Sequence, residues 1–239
     1  MRFCLLLAGV TAFAQQLNFV ACPVVRDTKT VPCFLAEYEG ELYYLGIQQD
    51  ITSDFHPPQL KHEVLVEGTV AAGPRVCGGI PLKPLSISVI KEVNLACNTL
   101  LPAEPGIEAP PAARGAGPAT HPLDISSAKP KELTGPQEFT ILYSFNDDFL
   151  EYAGNRVVNE AIDYAKRTGA SSVKVTGYRE STVLSNGTRL VEKDAIAEKR
   201  AENIAALLRG SGVSGVSISS KDEPESGPAA RRVAVVVTP

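Results

Sequence analysis

The first half of the chain alternates apolar and polar residues with the period of two that is typical of β-strands, and a helical period is almost absent. Prolines and glycines separate the alternating runs, as expected for strands joined by turns. Short strands of this kind over residues 15–102 predict an all-β domain, and we expect a small barrel similar to an OB fold. The predicted strands are residues 33–38, 41–47, 64–70 and 85–93.

Residues 137–239 carry both periods, and their order predicts an α+β domain with the arrangement β-α-β-α-β-β. Apolar residues recur at helical spacing in two segments, which are expected to pack on the strands. The predicted strands are residues 139–145, 172–178, 213–219 and 232–237, and the predicted helices are residues 150–165 and 195–209.

Local signals place the turns of this second domain. Gly169 can end the first helix in the left-handed conformation, and Asp194 can cap the start of the second. Asn186-Gly187 is the strongest short signal for a hairpin. It predicts a small hairpin over residues 182–191, between the second strand and the second helix.

A proline-rich segment separates the two halves. Residues 103–136 combine prolines with alanine, glycine and serine, and they show no periodic apolar pattern. Such a composition is typical of an extended, semi-rigid linker with polyproline II content. The sequence therefore predicts two domains joined by a tether.

Composition and charge exclude some classes of protein. The 239 residues are 44% hydrophobic, which is enough for globular cores, and the net charge of −4 comes without a basic stripe, which argues against nucleic-acid binding. The histidines lack metal-ligand spacing, and no hydrolase, phosphate-loop or zinc-protease motif occurs. We therefore predict a protein that is not an enzyme and has no catalytic residue, cofactor or metal. An enzyme with its activity in the first domain is an alternative.

The amino terminus has the pattern of an export signal. Arg2 precedes a short apolar segment, and Ala12-Phe-Ala14 fits a signal-peptidase site, so we expect removal of residues 1–14. The apolar run is too short to cross a bilayer, and no later segment reaches membrane-spanning length. The mature chain is therefore expected to be exported and to have no transmembrane segment.

The mature chain retains Cys22, Cys33, Cys77 and Cys97, all in the first half. An even number of cysteines in an exported chain predicts two disulfide bonds that stabilise the small β domain. Three connectivities are open, and the sequence does not choose among them. Short loops close at lower entropic cost, which favours Cys22–Cys33 and Cys77–Cys97.

Several motifs of the second half occur together in a characteristic order. They are Phe139-Thr-Ile-Leu-Tyr-Ser-Phe145, Tyr164-Ala-Lys-Arg-Thr-Gly169, Val173-Lys-Val-Thr-Gly-Tyr178, Arg200-Ala201 with Ile204, and Arg231-Arg-Val233. In this order, residues 137–237 resemble the OmpA-like C-terminal domain, which outer-membrane protein A, the peptidoglycan-associated lipoprotein and the flagellar stator protein MotB share. The resemblance implies a location in the periplasm or cell envelope of a Gram-negative bacterium.

The resemblance also implies a function and a binding site. Family members bind the diaminopimelate of peptidoglycan stem peptides non-covalently, with an arginine on its carboxylate and an acidic residue on its amino group. The matching positions are Arg200 and Glu180, and the motifs place Tyr178 and Arg231 near them. A guanidinium donates hydrogen bonds in a fork that fits a carboxylate, whereas a carboxylate only accepts. We therefore expect the second domain to anchor the exported β domain to the cell wall, and the first domain could contact other envelope proteins.

Departures from the family pattern leave alternatives open. Glu180 stands where the family carries Asp, and the segment between Glu180 and Arg200 is longer than usual because it holds the predicted hairpin. Arg200 could instead form an ion pair with Glu192 or Glu198, and Glu180 and Arg231 could be solvated surface charges. The chain would then be an OmpA-fold protein-interaction module that has lost peptidoglycan binding. The binding hypothesis fails if the hairpin fills the cleft between Glu180 and Arg200.

Overall fold

The computed structural model describes residues 15–48, 58–111 and 134–239. The predicted export signal and most of the predicted linker lie outside the described residues. The first half contains the strands β1 (Gln16–Ala21), β2 (Pro23–Arg26), β3 (Cys33–Tyr38), β4 (Glu41–Ile47), β5 (His62–Val70), β6 (Ile80–Val93) and β7 (Thr99–Leu101).

These strands form a seven-stranded sheet in the order β1-β5-β6-β4-β3-β2-β7. The predicted hairpin of β3 and β4 is confirmed, and Glu39 and Gly40 turn it with positive φ angles of 53° and 78°. Most neighbours are antiparallel, whereas β4 with β6 and β2 with β7 are parallel. In the described part of the chain β1 and β7 do not pair with each other, so the predicted OB-like barrel is not confirmed.

Both predicted disulfide bonds are present, but the favoured pairing is wrong. The bonds are Cys22–Cys97 and Cys33–Cys77 rather than pairs of sequence neighbours. β2 and β7 pair in parallel, and their register places Cys22 and Cys97, each just before its strand, side by side. Strand pairing, and not the length of the closed loop, therefore accounts for the partners Cys22 and Cys97.

The second half contains β8 (Gln137–Leu142), α1 (Tyr152–Thr168), β9 (Ser172–Arg179), β10 (Ser181–Val183), β11 (Arg189–Val191), α2 (Ile196–Gly210), β12 (Val216–Asp222) and β13 (Arg232–Thr238). The sheet has the order β12-β9-β13-β8, and β10 and β11 form a separate hairpin. The predicted β-α-β-α-β-β arrangement with an inserted hairpin is therefore confirmed.

Both helices pack on one face of this sheet. The buried residues of α2 include Ala197, Ala201, Ile204 and Leu208, the stripe that the helical period predicts. Gly169 ends α1 in the left-handed conformation, also as predicted. Neither of the two helices in the described residues has the length and apolar composition needed to span a membrane.

The predicted cap of α2 is wrong. The helix begins after Ala195, whose backbone is already helical, and no side chain caps it. The carboxylate of Asp194 instead contacts Arg179 at the end of β9. A charge-assisted contact with a guanidinium thus replaces the weaker bond to a helix amide.

The two halves are in direct contact. Leu65 of β5, Phe145 and Leu184 form a shared apolar cluster, and the amide of Phe145 donates to Ser88 Oγ at 2.9 Å. Ile107 packs against the first half, so that packing continues past the predicted domain boundary at residue 102. The hairpin and the loop after β8 therefore lie at a junction between the halves.

Candidate functional site

A close approach between β9 and α2 positions the central arginine. A Cβ added to Gly177 in β9 would lie 1.9 Å from the carbonyl oxygen of Ala197, so only glycine allows the helix to approach this strand. Arg200 follows Ala197 by about one helical turn. Its guanidinium therefore reaches the end of β9, where it binds the Tyr178 carbonyl oxygen.

Arg200 is fully buried, and all five of its N–H donors are hydrogen-bonded within the chain. Nε donates to the Asp147 carbonyl at 2.7 Å, Nη1 to the Tyr178 carbonyl at 3.2 Å and Nη2 to the Ser144 carbonyl at 2.9 Å. The two remaining bonds go to Glu192 Oε2 at 3.1 Å and Glu192 Oε1 at 2.6 Å. Arg200 thus holds a carboxylate in bidentate fashion, and that carboxylate belongs to the chain itself.

Glu192 is held from both sides. Its side chain has no exposed surface, and its oxygens also accept hydrogen bonds from the amides of Asn146 at 2.9 Å and Glu180 at 3.1 Å. It follows β11 directly, so the inserted hairpin carries it into the cleft. Of the two ion pairs considered from the sequence, the structure contains the one between Arg200 and Glu192.

Glu180 and Arg231 form a second buried cluster, which includes a residue of the first half. Arg231 Nη1 donates to Glu180 Oε1 at 2.7 Å, and Nη2 donates to Glu67 Oε2 on β5 at 2.5 Å. Thr182 Oγ1 also donates to Glu67 Oε1, at 3.0 Å. All four residues are buried, so the reading of Glu180 and Arg231 as solvated charges is wrong.

Carboxylates outnumber guanidiniums at this junction. Glu67, Glu180 and Glu192 face Arg200 and Arg231, which leaves one negative charge in excess, three against two. Burial raises the pKa of the Glu180 carboxyl, and attraction to Arg231 only partly opposes this. In the described residues no group of His, Cys, Asp and Glu side chains is arranged to hold a metal ion.

Tyr178 and the hairpin complete the junction. The Tyr178 ring lies under the guanidinium of Arg232, with 4.2 Å between that guanidinium carbon and the ring centroid, so Tyr178 contributes its carbonyl and not its ring to Arg200. The hairpin contacts β1, because the Ser185 amide donates to the Asn18 carbonyl at 2.7 Å. Asn18 Nδ2 donates in turn to the Val183 carbonyl at 3.2 Å.

The sequence analysis did not single out Glu67. The structure brings Arg200, Glu180, Tyr178 and Arg231 to one junction, with the Glu180 amide bound to the same carboxylate as Arg200. Glu67 was detectable, because it interrupts an otherwise apolar β5 segment, where a buried carboxylate needs a partner. The identity of that partner depends on contact between the halves, which local patterns do not encode.

Solved structures of OmpA-like domains are similar to this chain, whereas no family model and no curated protein matches it. The OmpA-like domain of FopA1 from Francisella tularensis subsp. tularensis SCHU S4 is 18% identical over 43% of this chain and 71% of its own, with a TM-score of 0.36. The cell wall anchor of the T6SS from Pseudomonas aeruginosa is 16% identical over 45% and 85%, with a TM-score of 0.34. The periplasmic domain of Helicobacter pylori MotB is 15% identical over 45% and 78%, with a TM-score of 0.34. Each of these three matches covers less than half of this chain.

Proposed function

We propose that this chain is a cell-envelope protein whose OmpA-like half acts as a protein-interaction module. Its buried arginines bind carboxylates of the chain's own first half and hairpin. The observation that carries this proposal is the use of all five Arg200 donors within the chain. Arg231 supports it, since its guanidinium binds Glu67 of the first half. No covalent chemistry is part of this function.

The energetics of the ion pair favour an occupied site. A ligand carboxylate could reach Arg200 only if Glu192 left, and Glu192 would also lose its bonds to the Asn146 and Glu180 amides. The ligand carboxylate would therefore have to replace four hydrogen bonds that Glu192 already accepts.

The second candidate is the non-covalent binding of diaminopimelate that the sequence resemblance implies, which would anchor the first half to the cell wall. The bidentate contact between Arg200 and Glu192 favours it, because a diaminopimelate carboxylate has the same chemistry. Glu180 would receive the amino group in this case, and the hairpin would leave the cleft.

Sedimentation of the full chain with purified peptidoglycan distinguishes the two candidates. We expect the wild-type protein to stay in the supernatant. Sedimentation that free meso-diaminopimelate competes away, and that is weaker in Arg200→Lys, would support the second candidate instead. Arg209→Lys is the matched control, because Arg209 lies exposed on the same helix. Circular dichroism of each variant confirms that the fold is retained.

The location in the cell envelope is part of the proposal. The two disulfide bonds support it, because such bonds persist in oxidising compartments. The export signal predicted over residues 1–14 points in the same direction. Fractionation of expressing cells tests it: we expect a periplasmic protein that lacks the first 14 residues, and recovery of the unprocessed chain in the cytoplasm would contradict it.

A further inference from the structure

The second-half sheet has an edge strand without a neighbour. β8 lies at the end of the order β12-β9-β13-β8, and in the described residues no strand pairs with its outer side. Its pairing with β13 is continuous, without a bulge. Neither proline nor lysine occurs between Gln137 and Leu142, although these are common means of protecting an edge. The opposite edge strand, β12, ends in Lys221 and Asp222, whereas the one charge on β8 is Glu138 near its start.

The register shows which main-chain groups of β8 face outward. The amide of Tyr143 donates to the Arg231 carbonyl, so every second residue back from Tyr143 is directed at β13. Glu138, Thr140 and Leu142 alternate with those residues. Their N–H and C=O groups therefore point away from β13, and their side chains are exposed.

A cavity of about 420 Å³ lies beside this edge. Thr140 and Leu142 form part of its wall, and Leu85 of β6 and Val157 of α1 contribute apolar surface. The side chain of Leu142 is 54% exposed and available for contact. Within the described residues, the outward main-chain groups of β8 therefore have no strand partner, and they lie next to an apolar recess large enough for side chains.

We propose that β8 binds an extended peptide segment of a partner protein, which adds to the sheet as a further strand and places an apolar side chain in this cavity. Main-chain hydrogen bonds to Thr140 and Leu142 would supply affinity, and the recess would supply selectivity. A strand edge pairs through its main chain with another extended strand. The partner segment must therefore be extended, and it must be free of proline at the paired positions because proline has no N–H to donate.

Thr140→Pro is the informative variant. Proline removes the outward N–H and places its ring on the outer side, where it blocks an added strand. It leaves the bonds to β13 in place, because the Thr140 amide does not take part in them, and edge strands tolerate proline at such positions. Thr140→Ala is the matched control, since it keeps the N–H.

The experiment selects ligands for the full chain from a phage-displayed library of random peptides of about seven residues, the length of one strand. We expect peptides that bind wild type and Thr140→Ala equally and Thr140→Pro at least about tenfold more weakly. Hydrogen exchange of the wild type with a selected peptide adds a readout that needs no variant. The Thr140 and Leu142 amides are expected to become protected.

Three results of the peptide experiments would overturn the proposal. They are a selection that yields no peptide, peptides that bind Thr140→Pro as tightly as wild type, and peptides that leave the exchange of Thr140 and Leu142 unchanged. A wild-type dimer that Thr140→Pro dissociates would assign the edge to a second copy of the chain, which also contradicts binding of a partner peptide.

Discussion

The two buried arginines, Arg200 and Arg231, find partners for their guanidinium groups in different ways. Arg200 is satisfied within the second half, by Glu192 and three carbonyl oxygens. Arg231 is shared between the halves, and its Nε has no hydrogen-bond partner in the described residues. The first arrangement is closed and local, whereas the second depends on how the halves meet. The cluster around Arg200 therefore fixes the hairpin, whereas the cluster around Arg231 fixes the junction between the halves.

The largest effect on the free energy of unfolding is expected from the cluster of Arg200 and Glu192. Arg200→Ala would leave Glu192 buried without its partner, and we expect a loss of about 3–5 kcal/mol in the free energy of unfolding. Urea denaturation followed by circular dichroism measures it. The control Arg209→Ala changes an exposed arginine of the same helix and should stay within about 0.5 kcal/mol of wild type. A loss below about 1 kcal/mol in Arg200→Ala would show that Arg200 and Glu192 are not a closed pair.

The cluster of Arg231, Glu180 and Glu67 should be less sensitive to substitution. A change in it should report on the contact between the halves. Glu67→Ala leaves Arg231 with Glu180, so we expect a smaller loss of about 2–3 kcal/mol. Because Glu67 is the contribution of the first half, the two halves should also unfold less cooperatively. Urea denaturation of the variant followed by far-ultraviolet circular dichroism should then show two transitions instead of one. A single transition in wild type and variant alike would show that Glu67 does not couple the halves.

The position of α2 gives a third test. Gly177→Ala places a methyl group against the Ala197 carbonyl, which is backbone and cannot rotate away. We expect a loss of about 1–3 kcal/mol as α2 shifts. Gly187→Ala tests instead the backbone conformation at an open turn with a φ of 83°. Only Gly177→Ala should accelerate amide exchange at Glu180 and Asn146, since both amides bind Glu192. Equal amide exchange in both variants would show that the position of α2 does not affect the ion pair of Arg200 with Glu192.

The smallest expected effect concerns pH. Burial raises the pKa of Glu180 above its usual value of 4.5, so the folded state binds this proton more readily than the unfolded state. Stability from this group therefore rises as pH falls through the folded pKa, and it is complete below the unfolded pKa. Glu180→Gln cannot titrate. We expect the stability of wild type relative to Glu180→Gln to increase from about pH 7 to about pH 4. A decrease in this relative stability over the same pH range would mean that Arg231 lowers the pKa of Glu180.

Local sequence signals predicted most of the second half. Alternation located its strands, helical spacing located the buried face of α2, and Asn186-Gly187 located the hairpin, because each signal depends on residues close in sequence. The sequence indicated Arg200 as a carboxylate-binding residue of a ligand site, and Glu192, which it binds in the structure, was the foreseen alternative partner. What the sequence left open was whether the carboxylate came from the chain or from a ligand.

Long-range contacts account for what was missed. The partners Cys22 and Cys97 follow from parallel pairing of β2 with β7, which no local period reveals. Glu67 lies in the other half of the chain from Arg231, and Asp194 is drawn to Arg179 across the end of the sheet. In each case the residue type was informative, but its partner was set by the packing of distant elements.

The disulfide bonds of the first half are nested, since Cys33–Cys77 lies within the segment that Cys22–Cys97 encloses. A protease that cuts once between Cys33 and Cys77 would produce two fragments still joined by both bonds. Under oxidising conditions the first half should therefore tolerate a single nick without dissociating.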